Sequence, residues 1–320
     1  MNRQTKINVL TLILYGVILY GYFFLLIDPS FEDRKYQGLQ VSFGLIVRSF
    51  GLGIAAQLIF DWHNKRAFLF VFKWACLAIF GLMSLLLLIS FETLICIVIG
   101  GPILVFMMAV GLSAIRLILK AAGQNSTMCM PLLLLPFFMP LADMSSLTPS
   151  KTYAVSTSIE MQGTPADIRA LAISVPLISE AERPWTLTHS ILRAPKPLQA
   201  QTRDGVRYAT WERGVAFEEV LIDTNDDNTL AWTFRFPDPK LLKPLDYRVS
   251  PIGPDVYMET GAYRFDAIDE SRTLVTLTTT YRLETPINGY LAFWGKVFLD
   301  DFHMAVLHVI AQRAETQAAL

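Results

Sequence analysis

The two parts of this sequence differ in chemistry, and this difference constrains the fold more than any other feature. Up to about residue 142 the chain consists of long apolar runs with few charges, whereas charged residues recur every few positions from Asp143 onward. A helix of about 20 apolar residues is long enough to cross the hydrocarbon core of a bilayer. The first part therefore predicts a membrane region, and the second part predicts a water-soluble domain.

Five apolar segments predict helices within a transmembrane region that we place at residues 1–144. Glycine and proline inside such segments are compatible with helices in lipid. A secretory signal peptide is the alternative for the first segment, but that segment is longer than the apolar core of such peptides and has no small-residue cleavage site before Asp28. The predicted helices are 8–27, 39–60, 68–91, 94–119 and 126–144.

Two of the five segments carry a weaker signal, so four spans are the alternative to five. Arg48 falls well inside 39–60, and a charged side chain is costly near the centre of a bilayer. The segment 126–144 is short and contains three prolines, each of which lacks a backbone N–H group.

The positions of the basic residues predict the orientation, because cytoplasmic loops carry an excess of lysine and arginine. With the N-terminus inside, five spans would place the soluble domain on the non-cytoplasmic side, and four spans would place it in the cytoplasm. We favour the non-cytoplasmic side, in an integral protein of a bacterial inner membrane or a plasma membrane. The basic residues of the inside loops are then Arg3, Lys6, Lys65, Arg66, Arg116 and Lys120.

Arg48, Glu92 and Cys96 are the groups in the membrane region that could do more than anchor the chain. Glu92 and Cys96 are four residues apart and would share one helix face. The simpler interpretations are that Arg48 extends toward the headgroups and that Glu92 marks the start of a helix. The segments carry no set of acidic residues suited to a proton or ion path, so the sequence does not favour a transporter.

Charge and cysteine usage narrow the range of partners. The formal net charge is -1 at pH 7, and the sequence has no basic tail or stripe rich in lysine and arginine. Nucleic acids are bound by such basic surfaces, so we expect no nucleic-acid partner. The cysteines Cys76, Cys96 and Cys129 all fall in apolar segments, which leaves the soluble domain without a disulfide. A protein partner is not identified by the sequence.

From residue 151 to 320 the pattern becomes that of a soluble α+β domain. The stretch 153–161 alternates apolar and polar residues, which predicts a strand with one buried face. Clusters of turn residues, such as 225–228, separate further strands. These strands are predicted at 205–213, 215–223, 229–236, 256–268 and 272–284.

Two helices and a loop complete the predicted domain. Thr164-Pro165 predicts the start of a short helix, because proline is favoured at the first helical position. A Pro-rich loop is predicted over 237–254, and Thr285-Pro286 precedes a long amphipathic helix that runs to about Glu315. A curved antiparallel sheet packed on this one long helix would bury both apolar faces, and the space between them is either core or a ligand cavity.

Seven stretches of the soluble domain carry a family resemblance, namely Tyr153–Met161, Thr164–Ile168, Phe217–Val220, Leu230–Phe234, Thr276–Tyr281, Phe298–Phe302 and Arg313–Glu315. In this order they resemble the helix-grip fold of the polyketide-cyclase and START-like superfamily, which is called SRPBCC. One departure is that 167–171 lacks the aromatic residue usual in the first helix. The resemblance implies binding of a hydrophobic ligand, sometimes with cyclase or hydrolase chemistry, and the fold alone does not choose between them.

Glu219 and His303 are the weak candidates for acid or base chemistry. Glu219 would point inward from a strand, where burial raises the pKa of a carboxyl group. It would alternatively pair with an arginine such as Arg235 or Arg282, which is the interpretation we favour. His303 shares a helix face with Asp300, for which the simpler interpretation is a solvated helix side.

Other catalytic and metal-binding patterns are weaker still. His303 and His308 are five residues apart and do not share a helix face, so no metal site is predicted. His189 has no evident carboxylate partner in the sequence. There is no Gly-rich phosphate loop and no nucleophile elbow. We therefore expect neither a metal nor a cofactor, and the sequence does not favour an enzyme.

The aromatic residues of the soluble domain are the better indication of function. Most of them must form core, but as a group they predict an apolar cavity. The predicted ligand-binding residues are Tyr208, Phe217, Trp232, Tyr263, Tyr281, Trp294, Phe298 and Phe302.

The sequence thus predicts a membrane-anchored START-like domain that binds a lipid or other hydrophobic small molecule. The expected partners are the lipid bilayer and that ligand. One alternative is a cyclase- or hydrolase-type enzyme that acts on an apolar substrate, and another is a membrane sensor or interaction module.

Overall fold

The protein consists of two compact units, Met1–Pro149 and Ser150–Leu320. The structure is a computed structural model. It describes residues 3–26, 44–88, 94–122, 129, 131–138, 149–238 and 256–318.

The described residues of the N-terminal unit include four apolar helices of 17 residues or more. By length and composition, three helices among the described residues are able to cross a membrane, and Gly44–Phe60 is a shorter apolar helix of 17 residues. Glu92 lies outside the described residues. The helices of this unit are α1 (Arg3–Leu26), α2 (Gly44–Phe60), α3 (Phe68–Leu88), α4 (Leu94–Ala122) and the single turn α5 (Leu135–Phe138).

The described part of the segment 126–144 differs from the single helix predicted there. Within its described residues, 131–134 form a 3-10 turn and only Leu135–Phe138 is α-helical. Proline explains the interruption, because Pro131 and Pro136 cannot donate the backbone hydrogen bonds that a continuous helix requires.

Helices α2 and α4 pack so closely that their backbones touch. A Cβ atom on Gly53 would lie 2.1 Å from the carbonyl oxygen of Met108, and one on Gly111 would lie 2.1 Å from the carbonyl oxygen of Phe50. Glycine is therefore required at both positions, as is common where helices associate in lipid.

Arg48 lies inside the bundle formed by these helices. The residue is buried, its Nε donates to the carbonyl oxygen of Gly44 at 2.9 Å, and its guanidinium carbon lies 4.5 Å from the centroid of the Tyr20 ring. A cation over an aromatic face is stabilised by the ring quadrupole. The arginine thus faces α1 and does not extend outward as the simpler interpretation expected.

A polar network joins the C-terminal ends of α2 and α4. The carboxylate of Asp61 accepts backbone hydrogen bonds from Lys65 at 2.9 Å and from Arg66 at 2.7 Å. Arg116 donates to the side-chain oxygen of the buried Gln57 at 3.1 Å and to the carbonyl oxygen of Arg66 at 2.8 Å. These bonds hold the basic loop after α2 against α4.

The C-terminal unit is an α+β domain, which is the predicted fold class. Its α-helices among the described residues are α6 (Pro165–Ile173) and the long C-terminal α7 (Asn288–Ala318). The strands are β1 (Ser150–Gln162), β2 (Pro197–Arg203), β3 (Val206–Trp211), β4 (Ala216–Ile222), β5 (Thr229–Arg235), β6 (Val256–Ala267) and β7 (Arg272–Glu284). They form a seven-stranded antiparallel sheet in the order β1-β7-β6-β5-β4-β3-β2.

Strand β2 was absent from the prediction. It begins with a proline and has polar residues at most of its positions, so it carries little of the alternation that marks a half-buried strand. Its place at the end of the sheet explains why such a sequence is accommodated, because it pairs with β3 on one side and makes only a short bridge, at Val175 and Ala200, on the other. Most of the predicted Pro-rich loop over 237–254 lies outside the described residues.

Local sequence signals set the starts of both helices. Thr164 and Asp167 form a capping box at the first turn of α6, with Pro165 in its first position. Before α7, the side chain of Asn288 accepts hydrogen bonds from the backbone N–H and the hydroxyl of Thr285, both at 2.8 Å. The long helix therefore begins at Asn288, two residues after the predicted Thr285-Pro286 start.

The register of the sheet places the core on its inner face, against which α7 packs mainly at β1 and β7. Trp232 pairs with Gly261 across β5 and β6, and a Cβ atom on Gly261 would lie 2.3 Å from the Trp232 ring. The tryptophan therefore lies flat over a position that only glycine can occupy. Buried residues of this core include Ile168, Trp232, Tyr263, Phe265, Val275 and Leu307.

Candidate functional site

Four aromatic rings form a connected cluster on the inner side of the domain, which we call the inner ring cluster. Its members are Trp211 from β3, Phe217 from β4, Phe234 from β5 and Phe302 from α7. The ring centroids of Trp211 and Phe302 lie 5.3 Å apart, those of Trp211 and Phe217 lie 6.0 Å apart, and those of Phe217 and Phe234 also lie 6.0 Å apart.

Strand register brings these rings to one face. Ala209 on β3 pairs with Phe217, and Glu219 pairs with Phe234, so alternate residues of the three strands point to the same side. All four rings of the cluster are only partly buried. Helix α7 packs mainly on β1 and β7, which leaves the inner face of β3 to β5 less covered. The cluster is thus an apolar surface that stays partly exposed among the described residues of the domain.

A buried ion pair borders the cluster. Arg207 and Glu219 face each other across β3 and β4, and the Nη1 of Arg207 lies 2.6 Å from the Oε2 of Glu219. Their side chains are 4% and 8% exposed, so the pair is out of reach of bulk water. Burial raises the pKa of Glu219, against the opposing effect of the Arg207 charge.

The partner of Glu219 is therefore not one of those expected. Arg235 binds Glu218, the neighbour of Glu219 on the opposite face of β4, and Arg282 binds Glu259 and Glu284. The prediction that an arginine neutralises Glu219 is correct, but Arg235 and Arg282 are the wrong residues, because both act on other carboxylates.

Two buried donor atoms beside this pair lack a hydrogen-bond acceptor among the described residues. They are the Nε of Arg207 and the indole Nε1 of Trp232. The guanidinium carbon of Arg207 lies 5.5 Å from the Trp232 ring centroid and 5.7 Å from that of Tyr263. Buried donors are normally paired, so this position is suited to an acceptor atom supplied from elsewhere.

His303 is buried between α7 and the sheet. The hydroxyl of Thr157 donates to Asp300 at 2.8 Å, so its oxygen accepts from the Nδ1 of His303 at 3.0 Å. The Nε2 of the ring then accepts from the hydroxyl of Thr279 at 2.8 Å. The solvated helix side predicted for His303 is wrong, because both ring nitrogens are bound in the interior. Burial lowers the pKa of His303 to about 4, which keeps the ring neutral.

His189 lies on a single helical turn, Leu187–Ile191, that packs against α7. Its ring stacks on Phe302 with 5.1 Å between centroids and lies 6.0 Å from Trp211. The Nδ1 atom contacts the carbonyl oxygen of Ala194 at 3.3 Å, whereas Nε2 is buried and without a hydrogen-bond partner in the described part of the chain. The tertiary structure thus adds a polar atom to the inner ring cluster.

The eight predicted ligand-binding residues fall into three groups. Tyr208 is exposed on the face of β3 that turns away from the cluster. Trp232, Tyr263 and Tyr281 are fully buried core residues. The remaining four are partly exposed: Phe217 and Phe302 belong to the inner ring cluster, and Trp294 stacks on Phe298 along α7 at 5.9 Å.

The residues absent from the predicted set are Arg207 and His189, together with Trp211 and Phe234 of the cluster. Arg207 has a signal in the sequence, because it shares the parity of Ala209 and Trp211 along β3 and must therefore face inward with them. The position of His189 has no such signal, since it depends on a turn between elements. No group of three His, Cys, Asp or Glu residues in the described ranges is arranged to hold a metal ion.

Comparisons with known proteins give only distant likenesses. No protein-family model and no curated protein matches the chain. Among solved structures, the Zhui aromatase/cyclase from Streptomyces sp. R1128 is similar over 52% of this chain and 96% of its own, with 14% identity and a TM-score of 0.32. Norcoclaurine synthase from Thalictrum flavum, in complex with dopamine and hydroxybenzaldehyde, is similar over 55% of this chain and 93% of its own, with 10% identity and a TM-score of 0.33.

A protein from Thermus thermophilus is similar to the same extent, over 52% of this chain and 99% of its own, with 16% identity and a TM-score of 0.31.

Replacing Glu219 by glutamine should destabilise the domain strongly, because it leaves Arg207 buried beside a neutral partner. We expect E219Q to lower the free energy of unfolding by about 3–5 kcal/mol. The matched control is E218Q on the adjacent, more exposed ion pair, for which about 0–1 kcal/mol is expected. Denaturant unfolding of the full chain in detergent, followed by tryptophan fluorescence, gives both values, and equal losses would contradict the burial of the Arg207–Glu219 pair.

The stability of the domain should fall as the pH falls from about 6.5 to 4. The folded pKa of His303 is about 4, below the value near 6.5 of an unfolded histidine, so the unfolded state binds more protons in this window. The loss contributed by His303 is roughly 3 kcal/mol at full titration. Burial lowers the pKa of His189 as well, so part of the slope should remain in the variant H303Q.

Thermal unfolding of H303Q across this pH range should therefore show a shallower dependence than that of the wild type. His308 is exposed on the same helix, and H308Q provides the control with the wild-type slope. An unchanged slope in H303Q would show that the protonation of another group causes the loss.

Proposed function

We propose that this protein binds a lipid or other apolar small molecule at the inner ring cluster of its helix-grip domain, and that its N-terminal helices hold the domain at a membrane. The observation that carries the proposal is the inner ring cluster itself, whose rings face the interior of the domain yet stay partly exposed. An apolar ligand would remove these rings from water, which is favourable in proportion to the apolar area covered.

Polar groups next to the cluster support a ligand that has an apolar body and a few polar atoms. The unpaired Nε of Arg207 and Nε1 of Trp232 would donate to an acceptor atom of such a ligand. Small-molecule sites commonly combine an apolar lining with a few fixed polar groups. The Arg207–Glu219 pair is close to neutral as a whole, so it favours an uncharged acceptor such as a carbonyl oxygen over an anion.

Membrane attachment is consistent with an apolar ligand. The bilayer is a reservoir for such a molecule, and a short connection between the apolar helices and the domain raises the effective concentration of one near the other. The resemblance to START-like domains, noted from the order of elements, implies the same class of ligand.

The geometry disfavours both candidate residues of the enzyme alternative, Glu219 and His303. Glu219 is bound by Arg207, and both ring nitrogens of His303 are bound by threonine hydroxyls. A general acid or base must reach the proton that it transfers. We therefore put binding ahead of catalysis.

We further propose that the helix-grip domain lies on the non-cytoplasmic side of the membrane. Helices α1 and α2 are antiparallel, because Arg48 contacts Tyr20, and a Cβ atom on Gly16 would lie 3.5 Å from Leu52. Cytoplasmic loops carry an excess of basic residues. The loop after α2, which carries Lys65 and Arg66, and the end of α4, which carries Lys120, are then cytoplasmic.

The segment 129–138 supports a further crossing from that side. It begins where Cys129 packs with Leu58 and Leu119, near the C-terminal ends of α2 and α4. It continues past the middle of α1, where the hydroxyl of Tyr15 donates to the carbonyl oxygen of Leu133 at 2.8 Å. Farther along, Tyr22 donates to the carbonyl oxygen of Phe137, also at 2.8 Å.

Those two hydroxyls meet a physical requirement of such a crossing. A segment that is not a regular helix leaves backbone carbonyls unpaired, and within a bilayer these must be bound by protein groups. Packing against α1 and α2 would allow the Pro-rich segment to reach the opposite side without a full transmembrane helix.

Replacement of Phe217 by glutamine should weaken the binding of an apolar probe, because it puts a polar group into the inner ring cluster. With phenylnaphthylamine and the full chain in nanodiscs, we expect F217Q to lower the affinity by about tenfold. Y208Q is the matched control, since Tyr208 is an exposed aromatic residue on the other face of the adjacent strand.

Energy transfer from tryptophan to the probe, corrected with empty nanodiscs, measures both affinities. Native mass spectrometry of the wild type would reveal a co-purified apolar molecule. If the wild type binds neither lipid nor probe, or if F217Q and Y208Q bind alike, the proposed binding at the inner ring cluster is incorrect.

Reporter fusions should locate the helix-grip domain. Alkaline phosphatase, which is active only outside the bacterial cytoplasm, is expected to be active when fused after Leu320 and inactive when fused after Ala122, at the end of α4. Opposite results at the two positions require a membrane crossing between them. Phosphatase that is inactive at both positions would place the domain in the cytoplasm and overturn the proposed crossing by 129–138.

A further inference from the structure

We propose that the ligand of the inner ring cluster carries a hydrogen-bond donor, a hydroxyl or N–H group, which binds the Nε2 atom of His189. This inference rests on the proposed function and specifies the chemistry of the ligand. Its basis is the position of one buried imidazole and the hydrogen bonds that fix its tautomer.

The turn that carries His189 is anchored at several points. The hydroxyl oxygen of Thr186 accepts from the backbone N–H of His189 at 3.3 Å, and the carboxylate of Asp301 on α7 accepts from the backbone N–H of Thr188 at 2.7 Å. The backbone N–H of Ala194 donates back to the carbonyl oxygen of Thr188 at 3.0 Å. The imidazole is therefore held in place by the chain around it before any ligand arrives.

The hydrogen bond to Ala194 determines which ring nitrogen carries the proton. A carbonyl oxygen can only accept, so Nδ1 of His189 must donate across the 3.3 Å contact. In a neutral ring, the other nitrogen is then unprotonated and acts as an acceptor. Burial favours the neutral ring, because it lowers the pKa of His189.

The acceptor atom lies where an apolar ligand would meet it. His189 is 5% exposed, and its Nε2 is buried without a donor from the described residues. The ring stacks on Phe302 and lies beside Trp211, two members of the inner ring cluster. It thus presents one unmet acceptor next to apolar rings that are themselves partly exposed.

Neither of the other two histidines of the domain presents a buried ring nitrogen that lacks a hydrogen-bond partner. Both nitrogens of His303 are bound by threonines, and His308 is exposed on α7. The unpaired atoms of Arg207 and Trp232 are donors and would take acceptors. A ligand hydroxyl or N–H group therefore matches His189 and none of these other groups.

An apolar molecule without a donor should bind less well, because it would bury Nε2 without satisfying it. A site built to form a hydrogen bond with its ligand binds analogues that lack the bonding group less tightly. A matched pair of probes, naphthol and its methyl ether methoxynaphthalene, isolates this effect, since the two share the ring system and differ in the donor.

The experiment uses the full chain in nanodiscs and compares the affinity ratio of the two probes in the wild type and in H189F. Phenylalanine keeps a flat ring beside Phe302 and removes both nitrogens. Partition of each probe into lipid cancels when the ratios are compared. We expect the preference for naphthol to be about three- to tenfold larger in the wild type, with little change in the affinity for methoxynaphthalene.

A measurement on the wild type keeps the inference testable if H189F does not fold. With nitrogen-15-labelled histidine, the NMR signal of the unprotonated nitrogen of His189 should move when naphthol binds and stay in place with methoxynaphthalene. A probe preference that is the same in both proteins, or a signal that does not respond to naphthol, would overturn the role of His189. If neither probe binds the wild type, the proposed function fails first.

Discussion

The inner face of the helix-grip domain depends on the register of its antiparallel strands, because a slip of one residue would turn every side chain of a strand to the other face. In the observed register, Arg207 lies opposite Glu219, and Phe217 and Phe234 come to the same side. A slip would expose the ion pair and bury Glu218 or Tyr208 in its place. The cost of an unpaired buried charge makes this pair a strong constraint on register, even if it adds little net stability.

Helix α7 packs across one end of the sheet, so the inner face is covered more fully at β1 and β7 than at β3 to β5. Contact with β1 and β7 seals that end, and there His303 is enclosed with all its hydrogen bonds made. Over β3 to β5, Phe302 of the same helix contacts the Trp211 ring of the sheet. His303 and His189 therefore have different roles. His303 joins helix to sheet, and His189 offers an acceptor beside the partly exposed rings.

In the N-terminal unit, close backbone contacts and polar side chains add to the apolar packing of the helices. Glycine allows the backbones of α2 and α4 to touch, and the guanidinium group of Arg48 lies over the ring of Tyr20. The hydroxyls of Tyr15 and Tyr22 donate to backbone carbonyl oxygens of the Pro-rich segment. Each of these contacts lets a polar or irregular part of the chain lie among apolar helices.

The sequence alone predicted the α+β class of the second unit and its strands β1 and β3 to β7, because these follow from residue-by-residue hydrophobicity and from turn residues. The capping box at Thr164 and the hairpin of β6 and β7 are local and were predictable for that reason. Strand β2 was missed because an edge strand needs little apolar alternation. In the described part of 126–144, a 3-10 turn precedes the α-helical turn Leu135–Phe138, because proline cannot donate the backbone hydrogen bond that a continuous helix requires.

Tertiary structure alone decided the partners and the site. Glu219 was expected to meet an arginine, but only the pairing of β3 with β4 selects Arg207 over Arg235 and Arg282. The aromatic residues were all visible in the sequence, yet their division into core, outer face and inner ring cluster depends on register and on where α7 crosses. His189 reaches the cluster through a turn anchored to α7 by a carboxylate 113 residues away in sequence, and no local pattern encodes so distant a contact.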